Sequence, residues 1–315
     1  MFVCGKCWCV CNSPWSLLVS LFGYCQIAFV LYCTLDIVVY PMYGFSSMGI
    51  VLTMIICFFA IMVIWSGLKA SFTEPGIVVD QQKLSPEMSE FMVGEESYNY
   101  CSKCNQMKPF RAHHCSKCNV CILKMDHHCQ WINNCVGARN QKYFILYLLY
   151  VHMGEVFACI LGFSRIYMLR SYFPRYTTFE YTKDLYPFNR VLPNWLLTRL
   201  RLPLFDDELV PLLFLCIEVL LSLLFAIFTV FLFIDQINAI RYDMTYVEYL
   251  KEYNVKTLEN DFYDCLISCM GEPPCWRWFF PIQGVYLDAV IKKLSHEYLE
   301  FNEEEEETEE EKKNK

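Results

Sequence analysis

Basic charge is in short supply in this sequence. Lys and Arg number 26 against 34 Asp and Glu, a formal net charge of −8, and no stretch offers the basic face that a nucleic-acid partner wants. The acidic sign comes mostly from one place, because eight glutamates stand between Glu303 and Glu311. A secretory leader is also missing: the N-terminus has no basic region followed by a short apolar core and a small-residue cleavage site. Charged residues of both signs make up only 19% of the chain, against 55% hydrophobic and 17% aromatic residues. A soluble domain of 315 residues would bury a large core without needing apolar runs as long as those found here.

Four such runs reach the roughly 20 residues that cross a bilayer core. They cover residues 15–40, 48–68, 143–163 and 209–234. The first two are joined by the short turn Pro41-Met42-Tyr43-Gly44, which predicts a helical hairpin. Asp36 and Glu218 fall within or near the runs, and such residues face the bundle interior or snorkel at an end. His152, Glu155 and Arg165 interrupt or flank the third run and lower its hydropathy. Lys and Arg crowd both the second and the third connecting loops, so the charge bias does not orient the bundle. Redox chemistry does, because free thiols and thiolate-bound metal belong in the cytosol. An even number of spans then puts both termini and the second loop on that side.

The second loop is where the chemistry gathers. Of 19 cysteines, seven lie between Cys101 and Cys135, together with four of the six histidines. The chain reads Cys101-x2-Cys104, then Lys108-Pro109-x-Arg111, then His113-His114-Cys115-x2-Cys118-x2-Cys121, then Asp126-His127-His128-Cys129, and closes at Cys135. Zinc takes four Cys or His ligands tetrahedrally in structural sites, and repeated C-x2-C spacing is the mark of metal knuckles. Two closed sites use eight of the eleven Cys and His and leave three over. A structural module has no need of a spare thiol beside two histidines. A thiolate near an imidazole is an activated nucleophile, and an adjacent carboxylate fixes the imidazole tautomer. The expected fold is an all-α integral membrane protein, with four transmembrane helices and a cytosolic two-zinc cysteine-rich domain between helices 2 and 3.

Those motifs, continued to Asn140 and Phe144, resemble the cysteine-rich domain of the DHHC palmitoyltransferases, also called protein S-acyltransferases. The resemblance implies one zinc on Cys101, Cys104, His114 and Cys121, and a second on Cys115, Cys118, His128 and Cys135. It makes Cys129 the acyl acceptor, His127 its base and Asp126 the carboxylate that orients His127, with His113 beside a metal ligand. Lys108 and Arg111 are implied to contact the phosphates of CoA. The implied reaction moves a fatty acyl group from acyl-CoA to cysteine thiols of membrane-associated proteins, through a thioester on Cys129. Bulky residues of the third span (Tyr147, Phe157 or Phe163) are expected to set the depth of an acyl cavity. The sequence departs from the family at Gln130, where Pro is usual, at Glu74 in Glu74-Pro75-Gly76, and at Tyr246 in Thr245-Tyr246-Val247-Glu248.

The implied organisation is a cytosolic Cys-rich N-terminus (1–14), a hairpin of spans (15–69) and a cytosolic loop (70–142) whose zinc domain has its core at 101–144. Span 3 (143–164), a lumenal loop (165–208), span 4 (209–236) and a cytosolic C-terminal region (237–315) with an amphipathic helix and an acidic tail complete it. Cys4, Cys7, Cys9 and Cys11, and likewise Cys265, Cys269 and Cys275, stand where membrane-proximal cysteines are acylated. The chain ends Lys312-Lys313-Asn314-Lys315, which resembles a dilysine retrieval signal and favours the endoplasmic reticulum over the Golgi.

Overall fold

A computed structural model describes residues 2–4, 7–9, 14–78, 99–108, 111–172, 209–251, 261–271 and 275–282. Among them, four helices are long and apolar enough to cross a membrane. These are α1 (Pro14–Tyr43), α2 (Ser47–Phe72), α3 (Gln141–Tyr172) and α4 (Leu209–Arg241). Each contains one of the four apolar runs and extends a few residues past it. α2 shows why no soluble packing is needed: Met54, Phe58, Ile61, Trp65 and Leu68 are all exposed, so the helix is apolar on its outer face as well as its inner one. Within α1, residues Cys33–Val39 form a π-helical stretch. The amphipathic helix and acidic tail expected after residue 283 lie outside the described residues, as do the dilysine end and residues 173–208 of the expected lumenal loop, whose first residues, 165–172, instead continue α3.

Contacts divide the chain into two compact units, Leu21–Ile64 with Tyr147–Phe233, and Met1–Ser20 with Trp65–Leu146 and Ile234–Lys315. The described residues of the first unit are almost wholly helical. Its core is built from Cys33, Ile37, Val38, Ile56, Leu161, Leu215 and Val219. Its polar side chains bond to one another across helices: Gln26 donates to Glu155 at 2.8 Å, and Thr34 reaches Glu218 at 3.5 Å. Glu218 therefore faces the interior, completely buried, whereas Asp36 is only half-buried. α3 and α4 approach closely at Gly162, where a Cβ would stand 2.4 Å from Val219 Cγ2.

The second unit carries the cysteine-rich segment, and it corrects the all-α expectation. Instead of helices, its described residues between 99 and 136 form three antiparallel hairpins after the N-terminal pair β1 (Phe2–Cys4) and β2 (Cys7–Cys9). They are β3 (Asn99–Cys101) with β4 (Gln106–Lys108), β5 (Ala112–Cys115) with β6 (Val120–Leu123), and β7 (His127–Cys129) with β8 (Asn134–Val136). Two sulfurs aimed at one point from positions three apart force the chain to reverse at once. The residue after each C-x2-C of the first two hairpins takes the left-handed conformation, Asn105 at φ 53° and Asn119 at φ 57°, a region that Asn enters more readily than most side chains. Strands of three or four residues carry too little alternation to announce themselves in a sequence.

Asparagines fasten these hairpins to the end of α2. Asn134 donates to the carbonyls of Ala70, Ser71 and Thr73 at 2.9–3.2 Å, and Asn140 to those of Ala70 and Cys135. A helix C-terminus leaves its last carbonyls without intrahelical partners, and side-chain amides satisfy them here. The Glu74-Pro75-Gly76 turn follows, its Glu74 carboxylate accepting the Gly76 and Ile77 amides and pairing with Arg139. Gly137 lies against that turn, and a Cβ there would meet the Pro75 carbonyl at 2.5 Å and Ile122 Cγ2 at 2.7 Å. Gly137→Ala is expected to destabilise the unit by about 1–3 kcal/mol, read as a lower unfolding temperature of the detergent-solubilised chain.

Candidate active site and metal centres

Two quartets of donors meet in the hairpin unit. Cys101, Cys104, His114 and Cys121 form one, and Cys115, Cys118, His128 and Cys135 the other, with all ligand atoms of each quartet within 4.8 Å of one another. A tetrahedral zinc with Zn–S near 2.3 Å and Zn–N near 2.0–2.1 Å sets sulfurs about 3.8 Å apart and sulfur from nitrogen by about 3.6 Å. In the first quartet, His114 Nδ1 lies 3.2, 3.6 and 4.0 Å from Cys104, Cys101 and Cys121, and the Cys104 and Cys121 sulfurs are 3.7 Å apart. In the second, His128 Nδ1 lies 3.3, 3.6 and 3.7 Å from Cys118, Cys135 and Cys115, and Cys118 is 3.4 Å from Cys135. These spacings have the scale of the edges of tetrahedra, and both donor sets of three thiols and one imidazole fit zinc.

The three remaining groups separate. His113 is buried and accepts from Lys251 Nζ at 3.2 Å. Burial, helped by the charge of Lys251, pushes its imidazolium down to about 4, which leaves it neutral. His127 and Cys129 instead meet each other on β7. His127 Nδ1 bonds to Asp126 Oδ2 at 2.7 Å, and its ring also hydrogen-bonds to Cys129. Burial alone would depress the His127 imidazolium. Its bonds to Asp126 and Cys129 outweigh that and raise it to about 10. The ring sits edge-on to Phe144, 5.3 Å between centroids, and Cys129 is 6% exposed.

Asp126 is held more firmly than its neighbours in sequence predict. Oδ2 also accepts from Gln236 Nε2 at 2.8 Å, and Oδ1 accepts from the Tyr246 amide at 2.8 Å. Burial raises its carboxyl, and the bonds from His127, Tyr246 and Gln236 overcome this, keeping it below the usual carboxylate range. Tyr246 opens the short helix α5 (Tyr246–Leu250), whose start is a complete capping box: Thr245 Oγ1 accepts from the Glu248 amide, and Glu248 accepts from the Thr245 amide. Because the amide, and not the side chain, at position 246 makes the contact, Tyr replaces Thr there without losing it.

Arg111, implied by resemblance to meet CoA phosphates, is placed otherwise. It is 3% exposed, and its guanidinium pairs with Glu248 through Nε at 2.7 Å and NH2 at 2.9 Å, and with Asp243 at 3.0 Å. Asp243 also binds Lys124 at 2.9 Å. Lys108, at the end of β4, stays half-buried and near Lys251. Three contributors escaped sequence reasoning altogether, namely Gln236, Asn134 and the Arg111–Glu248 pair. Only the last left a trace, in the S/T-x-x-E shape of residues 245–248.

The bundle unit separately holds an apolar cleft of about 50 Å³ among α1, α2 and α3, with Val30, Leu31, Ile56, Phe59 and Phe157 on its walls and Glu155 at its edge. Of the three aromatics expected to bound an acyl cavity, Phe157 lines this cleft. Phe163 is 52% exposed, and Tyr147 is not among the walls.

The profile of the DHHC palmitoyltransferase family matches residues 94–253. Among curated proteins, Palmitoyltransferase ZDHHC7 of Mus musculus is 34% identical over 231 residues, covering 72% of this chain and 66% of its own length. Palmitoyltransferase ZDHHC3 of Rattus norvegicus is 30% identical over 242 residues, covering 76% of this chain and 71% of its own. Probable protein S-acyltransferase 14 of Arabidopsis thaliana is 41% identical over a shorter stretch of 128 residues, 35% of this chain and 42% of its own. The chain spans just under two thirds of the mouse ZDHHC7, and 65% of its Rattus norvegicus counterpart.

The buried pair at Arg111 yields a direct test. Arg111→Ala strands two buried carboxylates, and breaking such a pair costs about 3–5 kcal/mol. Burial raises the Glu248 and Asp243 carboxyls, but Arg111 beside Glu248 and Lys124 beside Asp243 hold both below their ordinary values. A depressed folded value means that the stabilisation is complete above about pH 4.3 and drains away as pH falls through the lower folded values. Thermal unfolding of purified wild type is therefore expected to weaken in that acid range, with a much flatter acid dependence in an Asp243→Asn, Glu248→Gln double variant.

Proposed function

The chain belongs to the DHHC palmitoyltransferase family, and on that premise we propose that it is a protein S-acyltransferase acting through a thioester on Cys129. The observation that carries this reading is the Asp126–His127–Cys129 relay, with a buried thiol on one side of the imidazole and a carboxylate on the other. The Nδ1–H bond to Asp126 orients the ring and leaves Nε2 as the atom that holds and returns the thiol proton.

In the first step the proton of Cys129 is held on His127 Nε2, as the raised imidazolium favours, and the sulfur attacks the carbonyl of fatty acyl-CoA. The carbon–sulfur bond to CoA breaks, and the departing thiol takes the proton back from His127. In the second step a cysteine thiol of a membrane-associated protein loses its proton to the same nitrogen and attacks the acyl-enzyme, and Cys129 leaves reprotonated. One thioester replaces another in each step, so the protein's task is generating thiolate and holding geometry. Asp126 stays ionised throughout, stabilising the imidazolium that stores the proton.

The two quartets are assigned to zinc, Cys101, Cys104, His114 and Cys121 to one ion and Cys115, Cys118, His128 and Cys135 to the other. Zinc supplies cross-linking there and no chemistry on the acyl group. Lys108, half-buried beside Lys251, suits a phosphate of CoA, while Arg111 is assigned to holding α5. Thiolate ligands and a reactive thiol favour the cytosol for this segment and for both termini, with 165–208 lumenal. The terminal Lys312-Lys313-Asn314-Lys315 favours residence in the endoplasmic reticulum, the Golgi being the second candidate.

Purified protein given labelled palmitoyl-CoA is expected to take up hydroxylamine-sensitive label that Cys129→Ser abolishes; equal label on both forms contradicts the reading. Asp126→Asn is expected to slow transfer by about 10²–10⁴-fold. Elemental analysis is expected to find two zinc ions per chain, and His128→Ala to lose one of them together with activity.

A further inference from the structure

We propose that the turn Cys275–Phe279 is a membrane-interface anchor whose partner is the headgroup layer of the bilayer. Trp276 and Phe279 are 54% and 57% exposed, and Ile282 is 36% exposed, three large apolar side chains within seven residues. In water such a cluster is unfavourable, and Trp in particular gathers where an apolar ring meets polar headgroups.

The turn is tied to the bilayer-crossing helices. Phe280 packs against Trp65 of α2 at 6.5 Å between centroids and against Trp276 at 6.2 Å, so a line of rings runs from a lipid-facing helix to the exposed turn. On the other side Lys142, the second residue of α3, donates from Nζ to the carbonyls of Arg277 at 3.0 Å and Ile282 at 3.2 Å. One ammonium thus ties the middle of the turn and the residue Ile282 just beyond it to the beginning of a span. Trp65 is itself 37% exposed, on the apolar outer face that α2 offers to lipid, so the patch continues a lipid-facing surface and is no isolated spot.

Charge agrees with the assignment. The Arg277 guanidinium lies 5.6 Å from the centroid of the Trp276 ring, a basic group beside an aromatic one, as suits contact with lipid phosphate. The anchor also bears on the reactive site from within the same unit. Lys142 lies two residues before Phe144, whose ring packs on His127. Holding the turn at the interface holds the first turn of α3.

The full chain in nanodiscs of phosphatidylcholine, brominated at carbons 6,7 or 11,12 of one acyl chain, tests this. The chain has seven tryptophans, so the Trp276 signal is taken as the difference between wild type and Trp276→Phe. Stronger loss of that signal with the shallow bromines than with the deep ones is the expected result. No quenching by either lipid, as when the patch faces water or a protein partner, overturns the proposal, and so does equal or stronger quenching by the deep bromines. Trp276→Phe keeps an aromatic ring and is expected to unfold at the wild-type temperature, so a failure to fold is recognised separately.

Discussion

Everything at the site depends on the twofold alternation of one three-residue strand. β7 is His127–Cys129, and neighbouring residues of a strand point to opposite faces. His128 turns one way, towards Cys115, Cys118 and Cys135, and lies opposite Cys135 in the ladder. His127 and Cys129 turn the other way and hydrogen-bond to each other. Adjacent residues with incompatible tasks are thereby kept apart by less than one peptide unit. A helix would spread the same three side chains about 100° apart and divide them less cleanly.

The face of the strand that carries His128 is held by the cysteine quartet, but the Asp126 carboxylate on the other side needs support from farther along the chain. Asp126 takes its three bonds from His127, from Gln236 near the end of α4, and from the first amide of α5. α5 in turn is held by Glu248, which closes its own capping box while receiving Arg111. A basic residue in the cysteine-rich segment thus reaches the C-terminal segment, which returns an amide to Asp126. Burial makes this arrangement demanding, because an isolated charge at any of these positions would be costly. The charges are affordable only together.

Much of this was legible in the sequence, for identifiable reasons. Spans were visible because crossing a bilayer takes long apolar runs, and α1 to α4 each contain one. Two four-donor metal sites were visible because ligation imposes fixed spacing, the membership of each quartet came from the family resemblance, and both groupings reappear in the structure. The β-hairpins were not legible, since strands of three residues built around ligands have no hydrophobic period to read. Arg111 misled for a different reason: a basic residue in a cysteine-rich loop reads as exposed until Glu248 and Asp243, more than 130 positions away, are known to surround it. Gln236, at the end of the fourth span, drew no reading at all before its bond to Asp126 was seen. Contacts of that sequence separation have no local signature.

The division of labour along β7 is tested most directly by mapping acyl thioester and counting zinc on the same purified sample, for wild type and His127→Ala. The account predicts that wild type carries the thioester on Cys129 with two zinc ions, and that His127→Ala keeps both ions while losing the thioester. Loss of a metal ion from His127→Ala, or an undiminished thioester on Cys129 in its absence, would contradict it.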